Sequence, residues 1–316
     1  MTDPSTSKIP GLYAPSSWPT WFGFGLVWLI VHLPFGWIQA ISRSIGNVLY
    51  KILVRRRRIG EVNLALCFPG LSSAERQALL KQHFGAMIMA IFEMGMAWWL
   101  PDARLKKLIT VKGQEHLDAA LATGKGALLI SCHFTCLELA GRLYAMSIPH
   151  PWSGMYRPHE NPVIEYFFRR DRTRFFSDLI ARDDVRSFIK KLRKGETAWF
   201  APDQNFRNKG HVIAPFFGVP APTQPATSRL IKMSGAAAIP FEYRRLPGNE
   251  GYLLEFHPPI ENYPGDDEVA NAEQINKIFE EIIRHAPEQY FWLHRRFKLP
   301  RDQAGDVYKQ QNISGN

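Results

Sequence analysis

Cysteine is scarce in this chain of 316 residues: Cys67, Cys132 and Cys136 are the three present. So odd and sparse a set argues against a disulfide framework and fits a reducing compartment. Cys132, His133 and Cys136 lie close together in sequence, but a structural zinc site takes four ligands, usually as two spaced pairs, and no second Cys/His pair stands elsewhere. Two small buried thiols beside a strand, with no metal, is the better reading. A G-x-S-x-G nucleophile elbow is missing, and so are internal repeats and low-complexity segments. No recognisable nucleic-acid-binding module accompanies the basic residues. Acidic residues are absent from Ser42 to Gly60, and formally charged residues of either sign from Trp18 to Ile41.

What is present begins with apolar residues, at 46 %, enough for a sizeable core and too many for wholesale disorder. Lys and Arg outnumber Asp and Glu by 39 to 29, a net charge of +10 that favours acidic partners: nucleic acid, anionic lipid or an acidic carrier protein. Position narrows these. The stretch 18–41 reads as a membrane-anchoring segment, either a tilted span that includes Pro34 and Gly36 or an interfacial helix, because a span takes about 20 apolar residues. Trp18, Trp21, Trp28 and Trp37 suit a bilayer interface. The A-x-A cleavage site of a signal peptide does not follow. Arg43, Lys51, Arg55, Arg56, Arg57 and Arg58 come directly after, placing that flank on the cytoplasmic side, against anionic head groups.

A mobile polar tail is expected over 1–17, a basic and helical region over 42–104, an α/β domain over 105–300 and a tail over 301–316. Ser72 or Ser73 can cap a helix starting near Ala74, with Glu75 in its first turn, and Pro101 ends it. Beyond Val111 strands alternate with helices. Apolar runs at 126–132, 197–200, 236–241 and 252–256 read as strands, and 135–146, 162–176, 184–192, 223–233 and 269–285 as helices. The expected fold class is α/β, a mixed and mostly parallel sheet covered by helices and preceded by an N-terminal membrane helix.

The chemistry centres on His133, placed just past a buried strand where a helix begins, the edge at which catalytic groups gather in α/β sheets. Glu138 follows five residues later. Ten histidines and 29 acids make about one such spacing expected by chance, so the spacing decides nothing and the setting must. On one straight helix the two side chains would point about 140° apart; they meet only if His133 precedes the helix and Glu138 lies in its first turn, with Thr135 as N-cap. The same residues match a capping box, in which Glu138 merely bonds the cap. As a pair they form a general base and the carboxylate that orients it. Arg157, in Tyr156-Arg-Pro158, can hold phosphate or an oxyanion. Asp203, in Ala201-Pro-Asp203, is a supporting residue able to orient Arg157 or a loop; a turn residue after proline is its plainer reading.

Several blocks occur together in one order: Asn63-Leu-Ala-Leu-Cys-Phe-Pro69, Glu93-Met-Gly-Met-Ala-Trp98, the stretch from His133 to Glu138, Tyr156-Arg-Pro158, Lys194-Gly-Glu196, Ala201-Pro-Asp203, and Ala286-Pro-Glu-Gln-Tyr-Phe-Trp-Leu-His-Arg-Arg-Phe-Lys298. Over nearly the whole chain the sequence resembles the late acyltransferases of lipid A biosynthesis, the lauroyl-transferase type of Gram-negative bacteria. The resemblance implies a glycerolipid-acyltransferase-like fold and a catalytic dyad of His133 and Glu138. It implies a fatty acyl chain moved from acyl carrier protein, whose phosphopantetheine arrives with the donor, to a hydroxyl of a 3-hydroxyacyl chain on a Kdo-bearing lipid A precursor. No other cofactor is implied. The place would be the bacterial inner membrane, with the catalytic domain on the cytoplasmic side. Arg55, Arg56, Arg57, Arg58, Arg295 and Arg296 are candidate contacts for lipid head groups or the carrier. The glycine-containing acidic block of the wider superfamily is replaced here by Ala201-Pro-Asp-Gln-Asn205, which loosens the roles carried over to Arg157 and Asp203. Two other readings stand beside this one: an acyltransferase acting on another glycolipid or phospholipid, and an inactive membrane-docked lipid binder.

Overall fold

The computed structural model describes residues 9–204, 210–299 and 306–310; both expected tails lie partly outside these residues, and Asn205 lies outside them. The first third is helical: α1 Trp18–Val31, α2 Phe35–Ile52, α3 Val54–Cys67 and α4 Ser73–Trp99. Ser72 caps α4 in a capping box, its hydroxyl accepting from the Glu75 amide at 3.2 Å while the Glu75 carboxylate accepts from the Ser72 amide at 2.7 Å.

The expected membrane helix over 18–41 does not form. Proline cannot donate to a helix ladder, and the chain breaks at 32–34, with Pro34 as the N-cap of a second helix. At 14 residues α1 is about 21 Å long, short of a hydrocarbon core of about 30 Å. Among the described residues no helix is long and apolar enough to cross a membrane. Instead the apolar stretch divides its residues. Phe24, Val27, Val31 and Ile38 are buried, α1 and α2 packing on α4, whereas Trp18, Phe22, Trp28, Leu29 and Trp37 stay exposed.

The α/β part runs α5 Asp102–Leu105, β1 Ile109–Lys112, α6 Gln114–Ala122, β2 Ala127–Ile130, α7 Leu137–Ser147, β3 Trp152–Tyr156, α8 Pro162–Phe175, β4 Asp178–Ala181, α9 Val185–Arg193 and β5 Thr197–Phe200. It continues with β6 Val212–Phe216, β7 Val219–Thr223, α10 Ala226–Ser234, β8 Ala237–Arg245, β9 Tyr252–Phe256, α11 Glu268–His285 and α12 Val307–Gln310. Seven strands form one sheet in the order β1-β9-β8-β2-β5-β3-β4, parallel at every pairing except the antiparallel β8–β9. The mixed, mostly parallel sheet expected from the alternating pattern is therefore present. β6 and β7 form a separate hairpin packed on α11. All four residues of β2 are buried, as a central strand covered on both faces requires.

The helical layer is tied to the sheet by a buried charge. Glu93 of α4 pairs with Arg245 at the end of β8 and accepts from the Tyr252 hydroxyl at 2.9 Å. Burying a carboxylate is costly unless it is paired and hydrogen-bonded, and Oε1 takes both the arginine and the hydroxyl. Elsewhere α2 and α4 approach so closely that a Cβ on Gly46 would lie 2.5 Å from the Gly85 backbone. Gly46→Ala should therefore lower stability by about 1–3 kcal/mol through overpacking, measured by urea unfolding; an unchanged midpoint would show that the two helices do not touch there.

Candidate active site

Register brings the chemistry together. β2 and β5 pair in parallel with Ile130 opposite Phe200, and the Ser131 amide continues the ladder to the Phe200 carbonyl at 3.1 Å. His133 stands three residues past Ile130, and Asp203 three past Phe200. Equal offsets from neighbouring parallel strands deliver the two side chains to the same point beyond the carboxyl edge. Asp203 Oδ1 lies 2.5 Å from His133 Nδ1, and Oδ2 accepts from the His133 amide at 3.0 Å. Asp203 is almost fully buried, whereas the His133 side chain is 27 % exposed, open enough to meet a substrate.

The loop carrying His133 is held on several sides. The Trp199 indole donates to Ser131 Oγ at 2.6 Å, and the Tyr243 hydroxyl donates to the Cys132 carbonyl at 2.8 Å. From the C-terminal block, the Phe291 amide donates to the His133 carbonyl at 3.1 Å, and the Gln289 carbonyl accepts from the Thr135 amide at 2.9 Å. This bridge displaces the expected cap. Phe134 forms an antiparallel bridge with Tyr290, and α7 starts at Leu137 with Cys136 as N-cap and no side-chain cap. The capping box over Thr135–Glu138 is not made.

Glu138 consequently faces elsewhere. Oε2 accepts from Arg172 Nε at 3.2 Å and Oε1 from Arg172 Nη2, a two-point pair to α8. The arginine lies 4.4 Å from the Phe168 ring centroid and 5.5 Å from that of Tyr156. The carboxylate behind His133 is thus Asp203, expected only as a supporting residue, and the expected contact between His133 and Glu138 is replaced by the pair with Arg172.

Two cavities meet at this point. An open groove of about 660 Å³ is lined by His133, Arg157, Arg182, His211, Trp199 and Met155 among others. Arg157 is exposed in it, one residue past β3. A narrow apolar cavity of about 50 Å³ shares Met155 and Trp199 with the groove and runs past Gly141, Gly154, Trp152 and Phe176, with Glu138 and Arg172 in its wall. Arg182 and His211 were not picked out from the sequence. Each is one basic residue in a polar neighbourhood, with no pattern to mark it.

The basic residues divide. Arg55, Arg56 and Arg295 line a separate cleft together with His294 and Lys298. Arg57 turns to Glu61 at 3.2 Å and lies over Tyr50. Arg296 is a correction: it is 3 % exposed, donating to the Pro222 carbonyl, to Thr223 Oγ1 at 2.9 Å and to Asn276 Oδ1 at 3.2 Å, and so holds β7 to α11 instead of facing a lipid head group. Among the described residues, the grouping compact enough for a metal ion is Glu242 of β8, Glu255 of β9 and His257 just past it, which does not include Cys132, His133 or Cys136. Glu242 there already accepts from Arg244 and contacts His285 at 3.0 Å, an ion-pair network within the fold.

For His133, burial disfavours the imidazolium, but the Asp203 carboxylate outweighs it and the pKa rises above the ordinary value. For Asp203, burial pushes upward, while the His133 charge and hydrogen bonds bring the pKa below the usual carboxylate range. The His133 contribution to stability is full below about pH 6.5 and is lost as pH rises through the raised pKa. The Asp203 contribution is full above about pH 3.9 and is lost as pH falls through the depressed one. The pair is therefore most stabilising between these values.

Comparison with known proteins gives the family. The model of the bacterial lipid A biosynthesis acyltransferase family matches residues 6–299. The chain is 40 % identical to the lipid A biosynthesis lauroyltransferase of Escherichia coli K12, over 91 % of this chain and 94 % of that one. It is 41 % identical to the palmitoleoyltransferase of the same organism, over 90 % and 92 %. A 1-acyl-sn-glycerophosphate acyltransferase from Thermotoga maritima aligns at 13 % identity with a TM-score of 0.36, over 78 % of this chain and 97 % of that one. The family match and these relatives make the protein an acyltransferase. The chain belongs to the bacterial lipid A biosynthesis acyltransferase family.

A base whose pKa is raised by Asp203 must lose its proton before it can act. The acid limb of kcat/KM should lie above about pH 6.5, and Asp203→Asn should move it to lower pH while cutting kcat on the order of 10²- to 10⁴-fold. A pH–rate profile decides: an acid limb that Asp203→Asn leaves in place would detach Asp203 from the base.

Proposed function

We propose that this enzyme transfers a fatty acyl chain, lauroyl or palmitoleoyl, from an acyl carrier protein thioester to the hydroxyl of a 3-hydroxyacyl chain on a Kdo-bearing lipid A precursor. The reaction takes place at the cytoplasmic face of the inner membrane. One observation carries the reading: His133 is held at Nδ1 by buried Asp203 in the wall of an open cationic groove, which shares Met155 and Trp199 with a narrow apolar cavity. With Nδ1 engaged, Nε2 is the nitrogen left for substrate.

In the proposed step His133 Nε2 takes the acceptor hydroxyl proton. The oxygen attacks the thioester carbonyl, forming a tetrahedral oxyanion within reach of cationic groups lining the groove, Arg157 among them. The C–S bond breaks, the ester forms, and the thiolate takes the proton from the imidazolium. Asp203 orients the ring and stabilises its charge throughout. Glu138 acts at one remove, holding Arg172 against the wall of the apolar cavity. The exposed Trp18, Phe22, Trp28 and Trp37 would lie in the interface of the bilayer without crossing it.

His133→Ala should abolish transfer; it should also lower the melting temperature of the still-folded protein, because buried Asp203 loses its imidazole partner. Assay with carrier thioesters and the lipid A precursor tests this; a fully active variant removes His133 as base.

At about 50 Å³ the narrow cavity has room for a short piece of chain, and suits the end of the donor acyl group. A Cβ on Gly141 would stand 3.6 Å from Trp152, an ordinary contact that takes up room without forcing movement. At about 0.8 kcal/mol per buried methylene, Gly141→Ala should move preference toward donors one methylene shorter by about fourfold in relative kcat/KM. Competition between thioesters of graded length reads this directly, and an unaltered ranking would place the chain elsewhere.

A further inference from the structure

A cleft of about 410 Å³ lies between the first turn of α3 and the 291–298 segment. Arg55, Arg56, His294, Arg295 and Lys298 line it, and among the described residues no acid does. Arg55 and Arg56 also stand in a helical first turn that contains no acidic residue, where the helix dipole opposes added positive charge. Basic groups crowded this way repel one another, and a bound anion of more than one charge relieves the repulsion.

Two features say which anion. Ile52, Leu53 and Val54, immediately before the arginines, are 64 %, 40 % and 40 % exposed and extend the exposed apolar residues Val48 and Ile45 of α2. An apolar surface running into a basic cleft fits an amphiphile with a phosphate head better than a soluble acidic protein. The cleft wall also reaches the catalytic loop, since the Phe291 that lines it donates its amide to the His133 carbonyl at 3.1 Å.

We propose that this cleft is the subsite that anchors a phosphate of the lipid acceptor, an inference that rests on the acyl-transfer reading above. Arginine in a planar fork and lysine as a point charge are the usual recognisers of phosphomonoesters.

The test uses the full chain in detergent with R55Q/R56Q, both exposed positions, beside K106Q/K107Q, which removes equal charge from another surface. The expected result is a rise of about tenfold in KM for the phosphorylated acceptor in R55Q/R56Q, with kcat and the KM for the carrier thioester within about twofold of the parent. The difference should vanish with an acceptor stripped of its phosphates, and K106Q/K107Q should behave as the parent. A rise in the thioester KM instead would assign the cleft to the carrier and overturn the proposal, as would equal acceptor KM values in parent and variant. A second readout is independent of turnover: the parent should bind phosphatidylcholine vesicles containing phosphatidic acid more tightly than charge-matched vesicles containing phosphatidylglycerol, and R55Q/R56Q should lose that preference. A parent that shows the vesicle preference yet transfers no acyl group would sink the acyl-transfer reading alone; a parent that transfers but shows no preference would sink the phosphate subsite alone.

Discussion

Parallel pairing of β2 with β5, Ile130 opposite Phe200, is the constraint on which the site depends. Neither His133 nor Asp203 lies on a regular element, so neither is placed by a helix or strand directly. Each is carried out of the sheet by a three-residue extension, and the extensions run side by side because the strands do. A shift of one residue in this pairing would turn every β2 side chain to the other face, and because both faces are buried in close-packed surroundings the core would have to repack on each side. The cost of burying Asp203 is met at the same point: its two oxygens bond the imidazole and the backbone amide of one residue, His133.

The long C-terminal block has its explanation in this loop as well. Residues 289–291 bond the backbone on either side of His133, and Asn63 of α3 in turn bonds the carbonyls of Trp292 and His294 at 2.6 and 2.8 Å. Gln289 closes on β8 by exchanging hydrogen bonds with both the amide and carbonyl of Arg245. Segments far apart in sequence thus converge on one short loop. Much of what looks like a string of basic and aromatic binding residues in Tyr290–Lys298 is structural: Trp292, Arg296 and Phe297 are buried, and it is His294, Arg295 and Lys298 that line a cleft.

Legibility in the sequence followed the range of the forces involved. Strands at 197–200 and 252–256 and the helix from Ser72 were readable because burial and capping are local signals. His133 was readable because a strand end before a helix is visible in the residues. The carboxylate that bonds it is not legible, because proximity in sequence is not proximity in space: Glu138 is five residues away, Asp203 seventy, and the parallel register that joins the latter leaves no local mark. The Thr135 cap failed for the same reason, through a bridge to Tyr290. The uncharged stretch 18–41 reads as a membrane helix by composition, but Pro34 divides it and α4 supplies a protein surface for one face of each half. Arg296 carries nothing in the sequence to separate it from Arg295; one points inward and the other does not.

The central claim is that Asp203, and not Glu138, sets the state of His133. Its most direct test is the titration of the His133 imidazole by nitrogen-15 NMR in protein labelled at histidine, in the parent and in Glu138→Gln. The account predicts a Nδ1 proton hydrogen-bonded to a carboxylate, with a pKa above the ordinary histidine value that Glu138→Gln leaves in place. A return of that pKa to the ordinary value in Glu138→Gln would contradict it and give the imidazole to Glu138.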